Sequence, residues 1–291
     1  MSNLPAHAAG TFALGGDLPI HRMGYGAMRI TGKGIWGPPA DHAEALRVLR
    51  RAVELGVDFI DTADSYGPFV SEDLIAEALH PYADGLVVAT KGGLVRTGPQ
   101  QWKEVGRPAY LRQCVEMSLR RLKLDAIPLY QLHRIDPEVP REDQFGVLKD
   151  MQDEGKVRHV GLSEVGVEEI EAARAVLPIV SVQNKYSLGD RSHEDVVDYC
   201  EAEGLAFIPW YPLEAGKLTE KGGPVDEAAK QTGATHAQVA LAWLLRRSPN
   251  ILLIPGTSSV KHLEENVAAA ELELPDDLYE QMTEATAPEA A

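Results

Sequence analysis

The chain has 291 residues, 44% apolar and 25% charged, the composition of a soluble globular protein long enough to bury its core without a disulfide or metal staple. Its 44 Asp and Glu against 28 Lys and Arg leave a net charge of −16, which repels phosphate backbones and anionic lipid and argues against nucleic-acid and membrane roles. That balance does not exclude a small anion held in a local basic pocket. No run approaches the ~20 apolar residues of a membrane span, and MSNLPAHAAG has neither the basic nor the apolar stretch of a signal peptide. Cys114 and Cys200 form no CxxC, and Cys114 falls in a helical apolar stripe, which reads as a buried free thiol in a reducing cytoplasm.

In chain order, TFALGGDLPI comes first and predicts a β-hairpin about Gly15 and Gly16. Extended runs follow at 22–25, 57–60, 86–90, 128–132, 158–162, 179–182, 206–209 and 251–254. Between them apolar residues recur at helical spacing: Leu46, Leu49 and Val53; Leu111, Val115, Ser118 and Leu122; Ile170, Ala173 and Leu177; Leu263 and Val267. Pro108 suits the first turn of a helix, and Gly56 and Gly204 suit helix C-termini. No linker or composition break divides residues 1–291, so one α/β domain is expected. Eight strands alternating with helices predict a (β/α)8 TIM barrel, with a doubly wound open sheet as the competitor. Gly32, Gly34 and Gly37 form a G-x-G-x-x-G pattern, but Pro38 and Pro39 follow it, so no helix starts where a pyrophosphate would sit. A βα loop is the better reading. The His residues show no metal-ligand spacing, so no metal is expected.

Reactive side chains stand where strand after strand ends: Asp61, Lys91, His133, Ser163, Gln183 and Trp210. A lone strand-end Asp is commonly a turn or cap, a lone Lys is commonly solvated, and a lone His is commonly structural. In a parallel barrel, however, all these ends share the face that carries active sites. Asp61, Tyr66, Lys91 and His133 together suit a proton donor for a carbonyl oxygen. A free phenol ionises near pH 10, and a neighbouring ammonium is expected to lower that. A carboxylate keeps the ammonium charged, and an imidazole orients the carbonyl. The hydride must then come from a cofactor.

The ordered pieces GVDFIDTADSYG, VVATKGG, LYQLHRIDP, VGLSEV, VQNKYS, WYPL and IPGTSSVKHLEEN resemble the aldo-keto reductase superfamily, over residues 12–274. The resemblance implies a barrel whose bottom is closed by the N-terminal hairpin, and NADPH-dependent reduction of a small-molecule carbonyl compound, NADH being the less favoured donor. It makes Asp61, Tyr66, Lys91 and His133 the catalytic tetrad. It assigns Ser163 and Gln183 to the nicotinamide carboxamide and Trp210 to the nicotinamide ring. The pyrophosphate falls to the loop 210–218, including Tyr211, Pro212, Leu213, Gly216, Lys217 and Leu218, with Lys221 as basic partner. Gly256, Thr257, Ser258, His262, Glu265 and Asn266 are matched to the adenosine end, where helix N–H groups would face an anion. Gly26, Ala27 and Met28 complete the cofactor set.

Two departures stand out. Glu164 replaces the Asn many relatives carry beside the nicotinamide, and His262 replaces an Arg often found at the 2′-phosphate, with Lys261 as a compensating charge. Lys185, near the cofactor floor, has no assigned role. YGAMRITGKGIWGPP resembles the bacterial branch that includes pyridoxal reductases, which implies an aromatic aldehyde such as pyridoxal. Trp36, Tyr66, Phe69, Trp102 and His133 are the expected substrate lining, with Pro38, Leu94 and Ile135 as further candidates. Two other readings are carried forward. One is a nucleotide-binding accessory or sensor subunit with little turnover. The other is a hydrolase using Asp61 and Asp64 as a carboxylate pair.

Overall fold

Gly15 and Gly16 sit at φ 64° and 84°, angles open to residues without a side chain, and turn β1 (Thr11–Leu14) back onto β2 (Leu18–His21). The expected hairpin is present. The computed structural model describes residues 4–213 and 220–286. Leu14 and Ile20 of the hairpin are buried with Phe59, Val87, Leu129 and Leu252, so the hairpin plugs one end of the strand cylinder.

The next strands are β3 (Tyr25–Gly26), β4 (Phe59–Asp61) and β5 (Val87–Gly92). Then comes a second hairpin absent from the sequence reading, β6 (Leu94–Gly98) and β7 (Gln101–Glu104). The barrel continues with β8 (Ile127–Leu132), β9 (Val157–Ser163), β10 (Ile179–Gln183) and β11 (Ala206–Phe207). Seven strands pair in the order β11-β10-β9-β8-β5-β4-β3, all in parallel.

The eighth expected strand, 251–254, forms no regular ladder. It closes the barrel through two parallel bridges, Ile251 to Phe207 and Leu253 to Met23. Leu252 N donates to Phe207 O at 2.9 Å on one side, and Gly24 N donates to Leu253 O at 2.7 Å on the other. Pro249 and Pro255 flank the run and lack the N–H groups that would extend a ladder. Closure on both sides excludes the open doubly wound sheet.

The helices are α1 (His42–Glu54), α2 (Val70–Leu79), α3 (Pro108–Leu122), α4 (Arg141–Asp153), α5 (Val167–Arg174), α6 (Glu194–Ala202), α7 (Pro224–Thr232), α8 (His236–Arg247), α9 (Val260–Ala268) and α10 (Asp276–Ala285). The apolar stripes read from the sequence are the buried faces: Leu49, Leu111, Val115, Ile170, Ala173, Leu263 and Val267 all lie in the layer between strands and helices. Pro108 opens α3, and Gly56 and Gly204 follow α1 and α6 with positive φ. The Gly32–Gly37 segment is a loop tied by Gly32 N to Gly37 O at 2.9 Å, and α1 starts five residues beyond it behind an Asp41 cap. Among the described residues no helix is long and apolar enough to cross a membrane.

Candidate active site

The parallel strands bring Asp61, Lys91, Ser163 and Gln183 to one end of the barrel, and His133 and Trp210 follow directly after β8 and β11. There they surround a cavity of about 890 Å³, which Asp61, Tyr66, His133, Ser163, Gln183 and Trp210 line. Lys91 lies beneath, with no exposed surface. Its Nζ donates to Asp61 Oδ2 at 2.6 Å, to Thr62 O at 2.9 Å and to Tyr66 OH at 3.4 Å. The other Asp61 oxygen, Oδ1, accepts from Gln131 Nε2 at 3.0 Å and Gln183 Nε2 at 2.9 Å. Asp61 is thereby fully satisfied, as a buried carboxylate must be.

Burial disfavours the Lys91 ammonium, but Asp61 and Tyr66 outweigh it and hold its pKa above the usual lysine value. Burial also acts on Tyr66 and pushes its pKa above that of a free phenol, against the pull of Lys91. The net lowering expected from the sequence is therefore corrected: desolvation wins, and Tyr66 holds its proton at neutral pH. His133 moves the other way. Burial, then the charges of Lys91, Arg134 and Arg96, push its pKa well below the ordinary value, so the imidazole is neutral. Ser65 Oγ lies 3.3 Å from its Nδ1, and its ring meets that of Tyr66 edge-on at 5.9 Å.

The expected substrate wall is only partly there. Trp102, brought by the unforeseen β6–β7 hairpin, lines the cavity with Tyr66, Leu94 and His133. Phe69 and Trp36 do not. Phe69 opens α2 with φ 70°, is 48% exposed, and packs under the Arg121 guanidinium at 4.3 Å. Trp36 is also exposed, at 37%, and backs Arg96. Ile135 packs against the outer core layer. Five lining residues were missed: Arg29, Ile35, Glu104, Arg134 and Ile254. Arg96 organises this wall. Its guanidinium donates to Ile35 O at 2.7 Å, Ser65 O at 2.9 Å, Gln101 O at 2.9 Å and Gly34 O at 3.1 Å, and stacks 3.6 Å over Trp102. One side chain so ties three loops together.

Of the expected cofactor residues, Gly26, Met28, Tyr211, Pro212, Leu213 and Gly256 also line the cavity. Gly26 and Gly256 have no space for a side chain: a Cβ on Gly256 would stand 2.8 Å from Gly26 O, and one on Gly26 would stand 2.5 Å from Ile254 O. Only glycine lets the backbone at the end of β3 and the segment 254–256 approach so closely at the cavity edge. Ala27 is buried behind the wall. Thr257 and Asn266 are buried and Ser258 and His262 exposed at the start of α9, with Lys261 reaching Glu265 at 3.8 Å. The free amides expected there are partly occupied: Val260 N donates to Glu44 Oε1 at 3.0 Å, and Ser259 N to Thr257 Oγ1 at 3.2 Å. Gly216, Lys217 and Leu218 lie outside the described residues, and Lys221 is exposed just after them.

Glu164 and Lys185 gain a place. Glu164 holds the left-handed backbone, φ 57°, unusual for a side chain of its length. Its Oε1 accepts from Trp210 Nε1 at 2.5 Å and from Lys185 N at 2.7 Å, which fixes the indole against the cavity. Lys185 Nζ pairs with Asp190 at 2.8 Å.

The carboxylate-pair reading fails on geometry. Asp64 does not line the cavity; it is buried against Cys114, and burial raises its pKa to about 7.

Residues 22–287 match the Aldo/keto reductase family. The chain belongs to the aldo/keto reductase family. It is 53% identical to an uncharacterized oxidoreductase of Schizosaccharomyces pombe, over 97% of this chain and 92% of that protein. It is 43% identical to pyridoxine 4-dehydrogenase of Escherichia coli, over 93% of this chain and 96% of that one. In fold it is similar to an aldo-keto reductase from Klebsiella pneumoniae solved in complex with NADPH, with a TM-score of 0.82, 24% identity and 96% of each chain covered. Membership makes this chain an oxidoreductase and agrees with its closed barrel.

Proposed function

We propose that this aldo/keto reductase reduces aldehydes and ketones to alcohols with NADPH, in one barrel domain, with Tyr66 as the proton donor. The observation that carries this reading is the line Asp61, Lys91, Tyr66 at the cavity floor, with neutral His133 beside the phenol. When bound, NADPH supplies the hydride, which no side chain can. Ser163, Gln183 and Trp210 would hold its nicotinamide end, Lys221 its pyrophosphate, and Gly256, Thr257, Ser258, His262, Glu265 and Asn266 its adenosine end, with Gly26 at the cavity edge.

The carbonyl oxygen enters between Tyr66 and His133. A neutral imidazole gives that oxygen one hydrogen bond without competing for the proton. Ser65 at Nδ1 holds the ring so that Nε2 faces the oxygen. As negative charge develops there, Tyr66 passes over its phenolic proton, and Lys91 stabilises the phenolate left behind. Asp61 keeps Lys91 charged and in place. The raised pKa of Tyr66 serves this direction: the donor is fully protonated before the reaction, and the developing charge draws the proton off.

We take an aromatic aldehyde, pyridoxal among them, as the substrate class. The Trp102 and Tyr66 walls support this, as does the likeness to pyridoxine 4-dehydrogenase. The test is Tyr66→Phe. It should bind NADPH as the wild type does, read by protein fluorescence, and lose about 100- to 10,000-fold in the rate of absorbance loss at the NADPH band. Turnover retained by that variant sinks the assignment.

A further inference from the structure

Most charged groups around the cavity are neutralised by their neighbours. Asp61 is held by Lys91 and two Gln amides, and Glu164 by Trp210 and the Lys185 amide. Two lining charges are different: Arg29, exposed beside Gly256, and Glu104. Glu104 ends β7, opposite Leu94 in the hairpin register, and its side chain lines the cavity with Trp102, Leu94 and His133. Among the described residues its carboxylate has neither a hydrogen bond nor an ion pair. The charge nearest in effect is Arg134, which also lines the cavity. Arg134 is itself occupied on one side: Nη1 donates to His133 O at 2.6 Å and to Ser163 Oγ at 3.0 Å.

A half-buried carboxylate with no hydrogen-bond partner costs solvation that a charge at longer range, here Arg134, returns only in part. A ligand group that donates to it recovers that cost, whereas a ligand anion beside it adds to it. The reactive end of the cavity fixes where the carbonyl lies, between Tyr66 and His133. Trp102 stands edge-on to Tyr66 and His133, at 6.4 and 6.3 Å between centroids, and so borders the space a ring next to the carbonyl would fill. What Glu104 meets is then a substituent of that ring.

We propose that Glu104 is a specificity-determining residue, selecting aromatic aldehydes whose ring carries a cationic or strongly hydrogen-bond-donating group and disfavouring those whose ring carries an anion. This rests on the reading that the cavity takes an aldehyde. It goes further by naming the charge of the substrate and the side chain that reads it.

Three aldehydes of one ring size test it: 3-formyl-N-methylpyridinium, benzaldehyde and 3-carboxybenzaldehyde, each with NADPH. Intrinsic differences in carbonyl reactivity cancel when each variant is compared with the wild type. Glu104→Gln should lower the ratio of kcat/KM for the cation to that for benzaldehyde about tenfold, and raise the ratio for the anion. Glu104→Lys should invert the order. The dissociation constants of the three corresponding alcohols, read by tryptophan fluorescence, should move in the same sense. A general loss of folding or catalysis would scale all three substrates alike and leave the ratios fixed. Fixed ratios, with turnover present, overturn the inference and leave the proposed function standing. No turnover of any of the three by the wild type overturns that function, and the inference with it.

Discussion

The ion pair Lys91–Asp61 is where fold and chemistry can be separated by experiment. Lys91 is wholly buried and the Asp61 side chain 3% exposed, at 2.6 Å. In Lys91→Met the apolar volume is kept and the ammonium is lost. Asp61 Oδ1 keeps its two Gln donors, but Oδ2 is left with none. Breaking a buried pair from one side costs about 3–5 kcal/mol, because the remaining charge has no compensation. In a domain of this size that lowers Tm by about 10 °C. The double variant Asp61→Asn with Lys91→Met removes the stranded charge and should recover most of that loss. Activity should not follow. Both variants lack the ammonium that the proposed mechanism sets against the Tyr66 phenolate, and both should fall about 100- to 10,000-fold in kcat. Thermal unfolding followed by circular dichroism, beside NADPH turnover, measures both quantities. A double variant no more stable than Lys91→Met, or a recovery of activity along with stability, would refute the reasoning.

Three other expectations concern the wall, the indole and a buried acid. Arg96→Lys keeps the charge but loses the planar fork that reaches the Gly34, Ile35, Ser65 and Gln101 carbonyls, so kcat/KM for aromatic aldehydes should fall about tenfold with the NADPH dissociation constant little changed. A variant that reduced bulky and small aldehydes with wild-type preference would remove Arg96 from that role. Glu164→Ala frees the Trp210 N–H and should weaken NADPH binding several-fold, about 1 kcal/mol, while Glu164→Gln, which keeps an acceptor, should retain most of it. Equal dissociation constants for the two variants would count against the positioning. Asp64 titrates near pH 7 when folded and near 3.8 when unfolded. Between those values the folded chain holds a proton the unfolded chain has released, so stability falls as pH rises from about 4 to about 7, by up to about 4 kcal/mol. Asp64→Asn lacks this dependence, and its stability relative to the wild type should improve across that range. A pH-independent difference in denaturant midpoints would show that Asp64 is not held protonated.

What could be read from the sequence was periodic or punctuated. The helical stripes around Leu111 and Ile170 and the strand ends at Asp61, Lys91 and His133 are local patterns. A closed parallel barrel converts them directly into a shared face. The strand at 251–254 was legible as a run of apolar residues, but its reduction to two bridges was not, since that depends on how Ile251 and Leu253 meet Phe207 of β11 and Met23 ahead of β3. The β6–β7 hairpin was missed because LVRTG and QWKE are short and only weakly alternating. Its one available signal was the Gly98-Pro99 pair, with Gln100 turning in the left-handed region at φ 57°.

Missing that hairpin had consequences for the site. Arg96, Trp102 and Glu104 all sit on it, and beyond the hairpin's own Gln101 and Trp102 the partners of Arg96 are distant in sequence. Arg96 works through carbonyls of the Gly32–Gly37 loop and of Ser65, some thirty to sixty positions earlier. Trp36 and Phe69 drew attention because they are aromatic and lie in βα loops, yet each packs against an arginine and neither lines the cavity. The sign of the Tyr66 shift was misjudged for a related reason. The ammonium neighbour was visible from the strand ends, but the depth of burial that outweighs it is a property of the closed fold. Residue type and spacing thus named the groups that gather at the cavity floor. Which groups shape the substrate, and which way burial tips their protons, was decided by long-range closure around the cavity.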